Sequence, residues 1–223
     1  MIEVVTATRL TKSEFWSRSA LGISLRRLGD DSRLVARPTF ENRRSLPEIY
    51  NAGISAADGN AILIFVHDDV WIDDYFVADR IIEGLRAQDV IGVAGNRRRV
   101  PGQPAWAFVD TQFTWDMAHL SGAIAHGTHP FGRISFFGPA PAQCELLDGV
   151  FLAAKAAALK EKDVRFDPVF DFHLYDMDFC RTARQRGLRL GTWPICLTHQ
   201  SAGKFGAPEW TTKYRAYLEK WER

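Results

Sequence analysis

A run of six apolar residues, Ala61-Ile62-Leu63-Ile64-Phe65-Val66, ends abruptly in His67-Asp68-Asp69. An unbroken apolar strand is buried on both faces, as the central strands of parallel sheets are. Such a strand needs helices above and below it, and the flanking sequence supplies them in alternation. Glu3-Val4-Val5-Thr6-Ala7 reads as a first strand. Thr11-Lys12-Ser13-Glu14 has the form of a capping box, and Leu21, Leu25 and Leu28 follow at helical spacing, which predicts one helix. Leu34-Val35-Ala36 is a weak second strand, and Ser45-Leu46-Pro47-Glu48 opens a second helix with Gly59 as its expected C-cap. A helix over about 74–87 and a strand over 90–94 continue the series. The alternation predicts an α/β fold: one Rossmann-like domain with a mostly parallel central sheet, helices on both faces, and ligands at the strand C-termini.

From 95 to 145 the pattern changes to a stretch rich in Gly, Pro, Trp, Phe and His. Irregular stretches of that length are usually functional, so this one is expected to hold a few short strands or helices and one wall of a pocket. Order returns with Gly149 to Ala154, a helix over 175–186 stopped by Gly187, a strand over 189–193, and Leu197-Thr198-His199. Trp210, Tyr214, Tyr217 and Trp221 fall on one face of a terminal helix, which is expected to pack on the domain.

The 223 residues fit one domain, and 28 basic against 27 acidic residues leave a net charge of +1. That balance predicts no nucleic-acid partner and no attraction to an anionic membrane. Cys144, Cys180 and Cys196 are odd in number and without CxxC spacing, so neither a disulfide framework nor a thiolate zinc site is indicated. They are expected to be small buried side chains. No apolar run is long enough to span a bilayer, and residues 1–5 lack the basic and apolar regions of a signal peptide. The expectation is a cytoplasmic protein, with peripheral membrane association left open.

Chemistry is expected where the central strand ends. Adjacent carboxylates at Asp68 and Asp69 repel each other and lose solvation, a cost that a hard divalent cation such as Mn2+ or Mg2+ relieves. Asp73 and Asp74 are better placed to cap the following helix. In Tyr175-Asp176-Met177-Asp178-Phe179-Cys180, Asp176 shares a helical face with Phe179, Cys180 and Ala183, which suits a partly buried general base. Asp178 lines up instead with Arg181 as an exposed ion pair. Arg97-Arg98-Arg99 reads either as a solvated run or as a contact for an anion, and His126 and His129 lack the further ligands a zinc site needs.

Taken together these segments resemble the family 2-like glycosyltransferases of the GT-A fold, and in particular their streptomycin-biosynthesis-type branch. The resemblance rests on Asn42 through Gly53, Phe65-Val66-His67-Asp68-Asp69-Val70, Leu147-Asp148-Gly149-Val150-Phe151, Tyr175 through Cys180, Gly187, and His199 with Gly203. It implies an inverting, metal-dependent transfer of sugar from a nucleotide-diphosphate sugar, a UDP-sugar foremost, to an acceptor hydroxyl. It implies Asp176 as catalytic base and Asp69 with His199 as metal ligands. Thr6, Ala7, Thr8, Asn51, His67, Asp68 and Gly149 would contact the nucleotide-sugar, Gly149 in a glycine loop on the acceptor side. Residues 1–94 would form the nucleotide-binding half, 95–203 the acceptor-side half and 204–223 the C-terminal aromatic helix. His67 stands where the family has the first acid of its Asp-x-Asp motif, and Tyr175 where it has a Glu. The alternatives are a transferase-like binding protein without catalysis, or a sugar-1-phosphate nucleotidyltransferase; the absence of glycine in Thr6 to Thr11 argues against the second.

Overall fold

In a computed structural model, which describes residues 1–201, 203 and 205–222, the N-terminal half follows the expected alternation. Strand β1 (Ile2–Ala7) leads through Thr11, whose side chain caps α1 (Lys12–Arg18) in a complete capping box. The single helix expected here is two. Ser19 is extended, ends α1 and caps α2 (Ala20–Arg27), because its hydroxyl accepts from the Gly22 N–H. Next come β2 (Leu34–Thr39) and α3 (Leu46–Ala56), which opens on the Ser45–Glu48 capping box. The helix ends at Ala57, so Gly59 is not its cap. Strand β3 (Ile62–Val66) has its last four residues buried.

After the acid pair a short strand, β4 (Val70–Ile72), precedes α4 (Val77–Ala87), which has no side-chain cap. Asp73 is therefore not a capping residue. It is buried and accepts hydrogen bonds from the Phe131 N–H and the Thr198 hydroxyl. Asp74 accepts from the Phe76 N–H just ahead of the helix. Strands β5 (Val90–Gly92) and β6 (Ala94–Asn96) follow. Within 95–145 lie β7 (Leu120–His126), β8 (Arg133–Gly138) and β9 (Ala142–Cys144), the few short strands expected. The chain continues with β10 (Leu146–Leu147), β11 (Phe151–Lys155), α5 (Ala156–Glu161), α6 (Tyr175–Gln185), β12 (Leu190–Thr192), β13 (Leu197–His199) and α7 (Pro208–Trp221).

The main sheet has the order β2-β1-β3-β11-β5-β12-β9. Its β2-β1-β3 side is parallel as expected, but β11 enters antiparallel to both β3 and β5, so the sheet is mixed. That reversal positions the site: the N-terminal end of β11 lies against the C-terminal end of β3, with Phe151 opposite Val66. A second sheet, β10-β6-β7-β13-β4 with β8 on β7, carries β13 antiparallel to β4 and sets His199 opposite Val70.

Helix α7 packs as its aromatic face predicts, with Trp210, Tyr214 and Tyr217 buried; positions 204 and 223 of the expected tail lie outside the described residues. Cys144 and Cys180 are buried, whereas Cys196 is exposed, because it follows Pro194 on the surface turn into β13. Each arginine of the Arg97–Arg99 run has a partner within the chain. Arg97 donates to the Ala118 carbonyl, Arg98 pairs with Asp116, and Arg99 pairs with Glu222. Among the described residues no helix is long and apolar enough to cross a membrane.

Candidate active site

Four segments distant in sequence meet at the end of β3. His67-Asp68-Asp69 leaves the strand directly; β13 brings His199; and Asp148-Gly149, ahead of β11, meets the first turn of α6. The Gln200 N–H donates to the Asp69 carbonyl at 3.1 Å, which locks the two loops together.

One nitrogen each from His67 and His199 and one oxygen from Asp69 lie within 4.8 Å of one another. His199 Nε2 sits 3.3 Å from Asp69 Oδ1, yet that buried oxygen has no hydrogen-bond donor. A buried carboxylate oxygen left without a donor is costly unless something positive completes it. Two imidazoles and a carboxylate form a mixed nitrogen–oxygen donor set for a first-row divalent ion, so the residues fit a cation here. Burial alone would raise the Asp69 carboxyl, but His199, Ser201 and His67 outweigh it and bring it to about 2. Burial pulls His199 down, but Asp69 and Asp148 together raise it, so it ends above its ordinary value. Burial lowers His67 and keeps it neutral near pH 7, the form in which imidazole binds metal. His67 thus lies beside Asp69 and His199, the pair that the resemblance implies as metal ligands, although the resemblance sets His67 itself among the residues contacting the nucleotide-sugar.

Asp176 begins α6 half-buried, with Oδ2 accepting from the Gly149 N–H at 3.1 Å and Oδ1 from the Met177 N–H at 2.9 Å. Burial, and then the neighbouring charge of Asp148, raise its carboxyl to about 7. A carboxylate whose proton affinity is raised this far is a better general base near neutral pH. Asp178 differs from expectation. It is fully buried, 2.7 Å from both Lys220 Nζ and Trp221 Nε1 of α7, while Arg181 turns to Glu222. Helical spacing alone gave no sign that α7 would dock on that face.

The remaining expected contacts are distributed unevenly. Thr6 and Thr8 are buried and Ala7 partly so, with Thr6 Oγ1 lacking a partner. Thr8 adjoins Asp68, whose carboxyl burial raises and Thr8 partly restores. Beside Thr8 opens a polar cavity of about 460 Å³ lined by Arg9, Glu41, Asn42 and Arg43. Asn51 does not face it: its amide donates to the Phe166 carbonyl at 2.7 Å and accepts from the Phe166 N–H at 2.9 Å, bracing the loop before α6. Gly149 is required by close approach, since a Cβ there would meet the Tyr175 ring carbon Cζ at 2.7 Å and Asp176 Cβ at 2.8 Å. Asp148 was missed as a site residue, although its charge acts on His67, His199 and Asp176; its place in Leu147-Asp148-Gly149 was the available signal. Arg9 and Glu41 were missed because isolated loop charges carry no periodicity.

The fold matches that of GT-A glycosyltransferases of known structure. S. aureus TarS, residues 1–349, superposes with a TM-score of 0.50 at 13% identity, covering 97% of this chain and 64% of that one. The mannosyltransferase PcManGT of Pyrobaculum calidifontis, in complex with GDP-Man and Mn2+, gives 0.51 at 12% identity over 98% and 64%. GalNAc-T7 with UDP, GalNAc and Mn2+ gives 0.54 at 12% identity over 100% and 48%. The chain therefore spans less than two thirds of each of these relatives. No curated protein sequence matches it. The model of the glycosyltransferase-like family matches residues 37–214, and the chain belongs to that family.

Proposed function

We propose that this chain transfers a sugar from a nucleotide-diphosphate sugar to an acceptor hydroxyl, with inversion. The observation that carries the reading is the meeting of two chemistries: a donor-less Asp69 oxygen between two imidazoles, and a base-tuned Asp176 joined to them through Gly149 and Tyr175. The acceptor oxygen attacks the anomeric carbon and gives its proton to Asp176. The new C–O bond forms as the bond to the diphosphate breaks, and the electron pair leaves with the diphosphate. The backbone bonds from Gly149 and Met177 hold the carboxylate in place throughout. A divalent cation, held by Asp69 and His199, supplies positive charge for the diphosphate when bound.

In this reading Thr6, Ala7, Thr8 and Asp68 border the base and ribose, and the cavity lined by Arg9, Glu41 and Arg43 receives the nucleotide. Residues 1–94 serve the donor and 95–203 the acceptor, in a cytoplasmic protein of the streptomycin-biosynthesis-type branch. UDP is the foremost nucleotide and Mn2+ the foremost cation, both of which occur with structural relatives. The test is thermal stability with UDP and GDP, each with and without Mn2+. A ligand that binds only the folded state raises its stability, by about 2.7 kcal/mol at a hundredfold excess over Kd. A Mn2+-dependent rise with one nucleotide, lost in Asp69→Ala, supports the donor site. No rise with either nucleotide refutes it; a rise without sugar turnover leaves a binding protein.

A further inference from the structure

The two positions at which this chain departs from the family pattern touch each other. His67 and Tyr175, 108 residues apart, meet with Nε2 and the phenolic oxygen 2.7 Å apart. The same phenolic oxygen lies 2.8 Å from the Gly149 carbonyl oxygen. A carbonyl cannot donate, so the phenol's one hydrogen points to Gly149. The phenolic oxygen then accepts from His67, and that requires the hydrogen of the imidazole to sit on Nε2. A neutral imidazole has only one N–H, so the lone pair is left on Nδ1. The Phe172 ring, stacked on His67 at 6.1 Å and 20° between planes, restricts the imidazole from the side.

We propose that Tyr175 is a positioning residue for cation binding: its hydroxyl holds His67 as the Nε2–H tautomer, so that Nδ1 joins Asp69 and His199 as a third protein ligand. This rests on the transferase reading above and extends it. The pair is a neutral unit beside the charges of Asp69 and Asp148, and it offers the cation an imidazole. The arrangement matches the general habit of metal-bound histidines, whose second nitrogen donates to a fixed acceptor. Here the acceptor is a phenol that is itself anchored on a backbone carbonyl.

The experiment needs no donor and no turnover. Long-range 1H–15N spectra of the metal-free, full-length chain report the tautomer of His67, assigned by comparison with His67→Ala. Electron paramagnetic resonance titration of Mn2+ reports affinity in the same chain and in Tyr175→Phe, His67→Ala, Asp69→Ala and the His67→Ala/Tyr175→Phe double variant. The expected spectrum is Nε2–H, and Tyr175→Phe should weaken Mn2+ binding about 10- to 100-fold. His67→Ala should weaken it at least as much, and adding Tyr175→Phe to it should cost nothing further, as for residues that act through one another. An Nδ1–H spectrum for His67 in the wild-type chain overturns the proposal whether or not Tyr175→Phe folds. So does wild-type affinity in a folded Tyr175→Phe. If Asp69→Ala alone abolishes Mn2+ binding, the transferase site survives and only the role of the pair falls. If the wild-type chain binds no Mn2+, both fall.

Discussion

The base tuning of Asp176 should be visible as instability. A folded-state pKa raised from the ordinary 3.8 to about 7 means that the folded chain keeps a proton the unfolded chain has lost. Stability from this group is therefore fully present below about pH 4 and is lost as pH rises towards 7. At about 1.4 kcal/mol per pKa unit, the loss across that window is about 4 kcal/mol, an upper figure because the carboxyl is only half-buried. Asp176→Asn removes the titration. It also puts an amide where a carboxylate accepts from both Gly149 and Met177, so one of those bonds is lost at about 1 kcal/mol. The variant should be slightly less stable than the parent at pH 4 and about 2–3 kcal/mol more stable at pH 8.5. For a chain of this size that is a rise in Tm of roughly 4–12 °C. Urea denaturation of the metal-free protein from pH 4 to pH 9 measures the difference directly. Parallel pH profiles for the two proteins would refute the burial argument and with it the base assignment from tuning. The same variant should bind nucleoside diphosphate and Mn2+ normally while transfer is abolished, and parental turnover should fall on the acid side as Asp176 is protonated.

Three further outcomes follow from the packing. Gly149→Ala drives a methyl group into Tyr175 and Asp176, and should cost about 2–4 kcal/mol in urea denaturation through overpacking and the loss of hydrogen bonds to Gly149. Full stability there would mean that the turn is not the tight contact described. Asn51→Ala should cost about 2 kcal/mol by releasing both bonds to Phe166, while donor affinity in the folded protein changes less than a few-fold. A large loss of donor affinity at unchanged stability would restore direct nucleotide contact. Lys220→Met leaves the buried Asp178 carboxylate with Trp221 as its remaining donor and should cost about 2 kcal/mol at pH 7. Adding Asp178→Asn should recover most of that, and an additive further loss would argue that the ion pair is not what holds α7.

How much of this was legible follows the range of each interaction. The buried strand, both capping boxes and the helical face of Asp176 are encoded within a few residues, and the structure contains them at Ile62–Val66, Thr11, Ser45 and the start of α6. What failed depended on partners far away in sequence. Asp178 and Arg181 have ion-pair spacing on one helix, but α7 supplies each with a better partner more than 35 residues downstream. Asp73 looks like a cap until β13 and the 131 turn arrive to bond it. The antiparallel entry of β11 has no local signature either, because a strand buried on both faces reads the same in either direction.

The site illustrates why its two irregular residues are intelligible only in three dimensions. At position 67 alone, an imidazole in place of an acid suggests a weakened metal or ribose contact. At position 175 alone, a phenol in place of an acid suggests a lost charge. In contact, each answers the other's need: the phenol of Tyr175 both donates and accepts, and an imidazole proposed as a ligand has its second nitrogen satisfied. The Gly149 carbonyl completes the chain, and the same residue's N–H holds Asp176. One backbone unit thus ties Tyr175, the proposed positioning residue for His67, to Asp176, the proposed base. Displacing Gly149 should therefore disturb cation affinity and base geometry together, whereas changes at Lys220, on the far side of α6, should disturb stability alone.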